Sequence, residues 1–271
     1  FGMNTFTDKE WGEGNEDPQL FNPTSLDADQ WVRTLKAAGF KLVILTAKHH
    51  DGFCLWPTAT TNHSVAHSPW KGGKGDVVRE LREACNRHNM KMGVYLSPWD
   101  RHQAFYGTPL YVEYFYAQLE ELLTQYGDIF EIWFDGANGG DGYYGGAREE
   151  RTIDRRTYYN FPRAWKMVER LQPQAIIFSD GGPGCRWVGN EKGYAHATNW
   201  SFLRGNEVYP GYSRYWELQQ GHADGDTWTP AECDVSIRPG WFYHESEDSK
   251  VKTVDYLTDL YYRSVGHNAT F

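Results

Sequence analysis

Four apolar runs punctuate the first two thirds of the chain: FKLVILTA (40–47), MKMGVYL (90–96), IFEIWF (129–134) and AIIF (175–178). Each is preceded by a longer stretch in which apolar residues recur at helical spacing. In DADQWVRTLKAAG (27–39), Trp31, Leu35 and Ala38 form one stripe, Asp27 is placed to cap the start and Gly39 closes the end. GDVVRELREACNRHN (75–89) repeats the design, followed by helices predicted over 108–127 and, with a proline near its start, over 154–173. Short, almost wholly apolar runs suit strands buried on both faces. Alternation of such strands with helices predicts a parallel sheet with helices outside it.

Two α/β architectures share this grammar. A doubly wound sheet that binds dinucleotides would carry a Gly-rich fingerprint after an early strand, and none follows. Every strand instead ends in polar or aromatic residues, in KHHDGF (48–53), SPWDRH (97–102), WFDGANGG (133–140) and FSDGGPG (178–184). Chemistry at the C-terminal end of each strand is the mark of a (β/α)8 TIM barrel. Beyond Asp180 the alternation weakens to one strand and loop in AECDVSIRPGW (231–241) and one helix over 249–266, after which HNATF (267–271) begins another strand. The prediction is a single catalytic domain over 1–271, a (β/α)8-like barrel irregular in its second half and trimmed at both ends.

Composition narrows the function. The 271 residues are 40% hydrophobic and 23% charged, an ordinary globular balance. A net charge of -9 with no basic run argues against nucleic acid and anionic membranes. No apolar run approaches the roughly 20 residues needed to span a bilayer, so no membrane insertion is expected. Four scattered cysteines support neither a disulfide framework nor a zinc site, and no metal or cofactor is implied. The 12 Trp, 18 Tyr and 14 Phe fit either stacking on sugar faces or core filling.

Strand alternation puts Glu131, Trp133 and Asp135 on one face, with Asp135 at the mouth of the barrel. A lone Asp-Gly can simply cap a turn, but the aromatic approach and the Gly/Asn loop that follows leave space above this carboxylate. Adjacent His49 and His50 suit sugar hydroxyls better than a metal, which would need further ligands. Asn4, Glu10 and Trp11 near the start, and Arg238 and Trp241 after the late strand, complete a mouth fit for a neutral polyol. Glycoside hydrolysis needs two carboxyl groups. Partners for Asp135 include Asp100, Asp180, Glu191, Glu207, Glu232 and Asp234; spacing does not choose among them, though Asp180 stands at a strand end and Glu191 on a loop.

FGMNTFTDKEWGEG, AKHHDGFCLW, GVYLSPWD, WFDGANGGDGYYGG, GPGCRWVGNE and DVSIRPGW, in this order along nearly the whole chain, resemble the α-L-fucosidases of glycoside hydrolase family 29. FDGANGG and RWVGNE look like the subgroup that removes α-1,3- or α-1,4-linked fucose from branched glycans such as Lewis epitopes. The resemblance implies a retaining mechanism with Asp135 as nucleophile and Glu191 as general acid/base. It also implies that His49, His50, Glu10 and Trp11 hold fucose hydroxyls, that Arg238 lies near the nucleophile and that Trp99 contributes. Asp141, Tyr143 and Tyr144, in a loop after Asp135, are placed to meet the rest of the substrate. Fucose carries a methyl group at C5, for which Phe53 or Trp241 would supply an apolar wall. An apolar setting near Trp187 would keep Glu191 protonated. A glycan substrate implies a secreted or periplasmic location, and a C-terminal β-sandwich or carbohydrate-binding domain often follows such a barrel. The competing readings are another retaining exo-glycosidase on the same barrel and a relative that binds fucosylated glycans without cutting them.

Overall fold

The computed structural model describes residues Phe1–Phe271. The chain divides into two compact units, Phe1–Trp133 with Ala137–Ala175, and Phe134–Gly136 with Ile176–Phe271.

The first unit opens with a single helical turn, α1 (Asn4–Thr7), then runs α2 (Ala28–Ala37), β1 (Leu42–Lys48), α3 (Val77–His88), β2 (Lys91–Leu96), α4 (Pro109–Gln125) and β3 (Glu131–Phe134), whose last residue passes to the second unit. The predicted caps form: Asp27 accepts from Gln30 N and Asp76 from Arg79 N, at 2.9 and 2.8 Å, satisfying amide groups that the first helical turn cannot. Helix α3 buries Val77, Val78, Leu81, Ala84 and Cys85. Each large apolar side chain removed from water in this way contributes roughly 1.5–3 kcal/mol. Strands β1 and β2 pair in parallel from Leu42↔Lys91 to Lys48↔Leu96, with an irregularity between Thr46 and Lys48. Strand β2 is buried as expected, but Leu42, Val43 and Ile44 of β1 are only half-buried, because β1 is an edge strand with β2 as its single sheet neighbour.

Below the strand end that carries His49 and His50 lies a wholly buried ion pair. Lys48 Nζ donates to Asp100 Oδ2 (3.3 Å) and to Gln118 Oε1 (2.9 Å), and Asp100 also accepts from the backbone N–H groups of His102 and Gln103. Asp100, a formal candidate partner for Asp135, is thus committed to holding Lys48 and the turn after β2. A charge pair at this depth is tolerated only when its remaining hydrogen-bonding capacity is filled.

The first unit ends with β4 (Gly139–Gly142), β5 (Glu149–Thr152) and α5 (Phe161–Leu171). Strands β4 and β5 form an antiparallel hairpin, Gly139↔Thr152 to Gly142↔Glu149, where the sequence predicts an unstructured loop.

The second unit holds β6 (Ile176–Ser179), β7 (Cys185–Trp187), β8 (Phe202–Leu203), α6 (Tyr215–Gln220), β9 (Thr227–Trp228), β10 (Ala231–Glu232), α7 (Val254–Ser264) and β11 (Ala269–Thr270). Strands β6, β7, β10 and β11 are neighbours in that order and all parallel; β8 and β9 make a separate antiparallel ribbon. The expected strand within HNATF is β11, whereas β7 has no forerunner in the sequence reading. Fully buried Arg186 on β7 ties the unit together, its guanidinium donating to Leu218 O (2.9 Å), Asn199 Oδ1 (2.7 Å) and Thr229 O. No disulfide joins the four cysteines, all of which are buried, and no helix is long and apolar enough to cross a membrane.

Candidate active site

In the first unit, the strand ends converge on an aromatic cup. Trp11 stands edge-on to His50 (ring centroids 5.2 Å apart), His49 (6.3 Å) and Trp99 (6.0 Å), and His50 lies 5.0 Å from Trp99. His49 stacks on Tyr95, which stacks in turn on Trp133. Trp11 is 49% exposed while Trp99 and His50 are buried, so the cup has one rim open to a ligand. Ser97 fixes the floor: its hydroxyl meets His50 Nδ1 at 2.7 Å and donates to Trp99 O at 2.8 Å. Burial, with the positive charges of Arg101 and Lys48 adding to it, pushes His50 down to about 3, so its ring is neutral at any working pH. A neutral imidazole can both donate to and accept from sugar hydroxyls.

Asn4, expected at the sugar, is buried and donates to Lys9 O (2.9 Å) and Glu10 O (2.8 Å). It shapes the turn that presents Glu10 and Trp11. Phe53, proposed as an apolar wall, is buried and packs against Phe21 with ring centroids 5.2 Å apart. Trp241, the other proposed apolar wall, is 44% exposed.

Next to the cup, the hairpin contributes a partner that sequence reasoning places on the substrate. Tyr144 is buried; its hydroxyl accepts from Trp99 Nε1 (2.8 Å) and donates to Gly140 O (2.8 Å). Arg101 donates to Asp141 O and pairs with the exposed carboxylate of Asp141 at 3.3 Å. Asp141 and Tyr143 line a cavity of ≈ 300 Å³ together with Glu13, Arg101, Arg148 and Glu149. Asp141 and Tyr143 therefore share a recess, whereas Tyr144 braces Trp99.

The carboxyl groups gather in the second unit. Asp135 follows β3 directly and is half-buried. Gly136 comes so close to Asp180 that a Cβ there would overlap its carboxyl group. Asp180 is buried, accepts from Gly211 N at 2.7 Å, and is pushed up to about 7 by burial, with the charge of Asp135 adding to the rise. Asp234 lies just beyond β10 and accepts from Trp187 Nε1 at 2.8 Å. It rises to about 8 through burial first and then the negative charges of Glu191 and Asp135, against the opposing pull of the Trp187 hydrogen bond. Asp135 thus sits within electrostatic reach of two carboxyl groups that hold protons near neutrality.

Glu191 is exposed rather than set in apolar surroundings; the carboxyl that Trp187 holds is that of Asp234. Its turn is nevertheless well defined. Gly189 and Gly193 have φ of +81° and +79°, and both lie where a side chain would meet neighbouring groups, Tyr215 O for the first and Val235 for the second. Asn190 closes the turn, donating to Tyr194 O and accepting from Lys192 N, both at 2.9 Å. Arg238 pairs with Asp248 (2.8 Å) and lies over the ring of Tyr243. Of the other formal candidates, exposed Glu207 faces Arg214 and Glu232 faces Cys185. Sequence reasoning missed Ser97, which the SPW triplet does not flag, and listed Asp234 only as one of six candidate partners for Asp135.

The first unit thus carries an aromatic, histidine-rich cup at its strand ends, and the second holds the carboxyl groups of Asp135, Asp180 and Asp234. Comparison with known proteins gives the family. Residues 4–271 match the family model described as Alpha-L-fucosidase. The chain is 50% identical to Alpha-L-fucosidase 1 of Arabidopsis thaliana over 277 residues, covering 100% of this chain and 51% of that protein. Among solved structures, a glycoside hydrolase 29 family member from an unknown rumen bacterium matches with a TM-score of 0.94 and 57% identity, covering 100% of this chain and 48% of that one. A Ruminococcus gnavus GH29 fucosidase in complex with fucose matches with a TM-score of 0.83 and 37% identity, covering 100% and 58%. The chain belongs to the alpha-L-fucosidase family, glycoside hydrolase family 29. It spans about half the length of the first relatives it matches. The expected fold class, an irregular (β/α)8-like barrel, is borne out.

Proposed function

We propose that the protein is a retaining exo-α-L-fucosidase that releases α-1,3- or α-1,4-linked L-fucose from branched glycans of the Lewis type. The observation that carries this reading is the placing of Asp135, at the end of a strand and within electrostatic reach of Asp180 and Asp234. Asp135 attacks the anomeric carbon and forms a fucosyl ester while Glu191 protonates the departing glycosidic oxygen. Water then attacks the ester, giving its proton to Glu191 and releasing fucose with its configuration kept.

The cup formed by Trp11, His49, His50 and Trp99 suits a deoxy sugar, with aromatic faces for C–H groups and neutral imidazoles for hydroxyls. Trp241 remains the candidate wall for the C5 methyl group. The recess lined by Asp141 and Tyr143 is offered to the rest of the glycan. The length of the relatives supports a further domain, a β-sandwich or carbohydrate-binding module, in the complete protein. The reading includes a secreted or periplasmic location, supported by the class of the proposed substrate, a fucosylated glycan.

A proton NMR time course on a Lewis-type trisaccharide tests the reading. α-Fucose appearing before its β anomer is the expected outcome, and early β-fucose would remove Asp135 as nucleophile. Cleavage of an α-1,2-fucosylated trisaccharide in preference to the Lewis type would overturn the linkage.

A further inference from the structure

A general acid must reach the reaction protonated, yet Glu191 stands on an exposed turn. The geometry around it supplies a partner. Gly193, two residues on, approaches Val235 so closely that a Cβ would lie 2.9 Å from that of Val235, which presses the Glu191 turn against the residue following Asp234. Strands β7 and β10 pair with Trp187 opposite Glu232, and Val188 N donates to Glu232 O at 3.0 Å. The two segments therefore leave their strands side by side, one carrying Glu191 and the other Asp234. Trp187 Nε1 fixes the Asp234 carboxyl from the strand below at 2.8 Å.

We propose that Asp234 is a positioning residue that shares one acid proton with Glu191, storing it on the sheltered side of the pair and passing it on as Glu191 protonates the leaving oxygen. The inference rests on the reading of Glu191 as acid/base. Of the pair, Asp234 is the carboxyl that burial favours in its protonated form, and the negative charges of Glu191 and Asp135 both strengthen its hold on the proton. Among the charged groups along this segment, Arg238 pairs with Asp248, Glu232 faces Cys185, and Lys252 donates to Ser236 O and Arg238 O.

The balance closes over one turnover. Before attack, Asp135 and the pair carry one negative charge each. As the C–O bond to the aglycone breaks, the pair gives up its proton and becomes doubly negative, while Asp135 loses its charge in the ester. That loss removes one of the two repulsions on Asp234 at the moment when the pair must release its proton. Attacking water later returns a proton to Glu191, and the ester oxygens regain their charge.

The test compares pH profiles of kcat/KM in the full-length protein on a Lewis trisaccharide and on an activated aryl fucoside, whose phenolate leaves unprotonated. Asp234→Asn keeps an acceptor for Trp187 but stores no acidic proton. Its alkaline limb on the trisaccharide should move down by at least about one pH unit, so that the loss grows to about tenfold or more by pH 7.5, with the aryl fucoside less affected. Trp187→Phe removes the hydrogen bond that favours ionised Asp234, and its limb should move up. A trisaccharide limb that stays in place in both variants overturns the proposal. Glu191→Gln separates the two failures. If it loses trisaccharide turnover but retains the aryl fucoside, the acid/base reading stands and the Asp234 variants decide. If it behaves as wild type on both substrates, that reading falls and the shared proton with it.

Discussion

The carboxyl group of Asp180 occupies the space that any side chain on Gly136 would need. This contact explains why the apolar strand ends in Asp-Gly: the residue after Asp135 must be bare for the two carboxyl groups to come together. Gly136 does not have the positive φ of a typical glycine turn, so the requirement is one of room and not of backbone conformation. Gly136→Ala should lower stability by roughly 1–3 kcal/mol, as overpacking does, and reduce kcat/KM by about tenfold or more by displacing Asp135. Thermal unfolding and fucoside kinetics, each repeated in Gly136→Ala/Asp180→Ala, check both parts. The double variant should regain stability without activity, and additive stability losses would show that Asp180 is not the obstacle.

Asp180 makes the protein less stable as pH rises. Its folded-state value is raised from the ordinary carboxyl range to about 7. Between roughly pH 4 and pH 7 the unfolded chain therefore ionises at this position while the folded chain does not. Asp180→Asn should unfold at nearly the wild-type temperature at pH 4 and be the more stable by roughly 1–3 kcal/mol at pH 7.5. Melting curves that stay parallel across this range would contradict the assignment.

His50 acts in the opposite sense. Its folded-state value is depressed to about 3, so its contribution to stability is fully present above about pH 6.5 and is lost as pH falls toward 3. The imidazole resonances of His50 should not titrate between pH 5 and pH 8 in an NMR series. A midpoint within that window would mean that water reaches the ring.

Tyr144 holds Trp99 through a single hydroxyl. In Tyr144→Phe the indole N–H of Trp99 loses its acceptor and Gly140 O loses a donor, at a cost of about 1–2 kcal/mol. Because Trp99 belongs to the cup and not to the carboxyl cluster, KM should rise several-fold with kcat within about threefold of wild type. A drop in kcat with KM unchanged would place Tyr144 nearer the reacting atoms than its hydrogen bonds suggest.

The helices and the three main strands of the first unit were legible because local chemistry specifies them. Asp27 and Asp76 cap where a cap was expected, and the apolar runs become β1 to β3. The β4–β5 hairpin was hidden by its glycines: at Gly139 and Gly140 the backbone takes φ of +108° and +153°, and a Gly-rich run reads as loop until the pairing with Arg151 and Thr152 is seen. Strand β7 is three residues long, too short for any periodicity to register. Asp135 could be singled out because it ends a strand. The environments of Glu191 and Asp234 could not, since they depend on Gly193 meeting Val235, more than forty residues away in the chain. The burial of Asn4 and Phe53 shows the same limit, since neither the hydrogen bonds of Asn4 to Lys9 O and Glu10 O nor the packing of Phe53 on Phe21 is written in the local sequence.

The buried hydroxyl of Tyr144 is the hairpin's side-chain link to Trp99, while the carboxylates of Asp141, Glu149 and Glu150 point outward into the recess or solvent. The contact that supports Trp99 and the outward-facing carboxylates therefore lie at different positions of the hairpin. On the proposed function, substitutions at the hairpin's outer positions would alter the recess offered to the glycan and leave the support of Trp99 intact, which makes this short ribbon the place for substrate range to drift in evolution and for an engineer to begin.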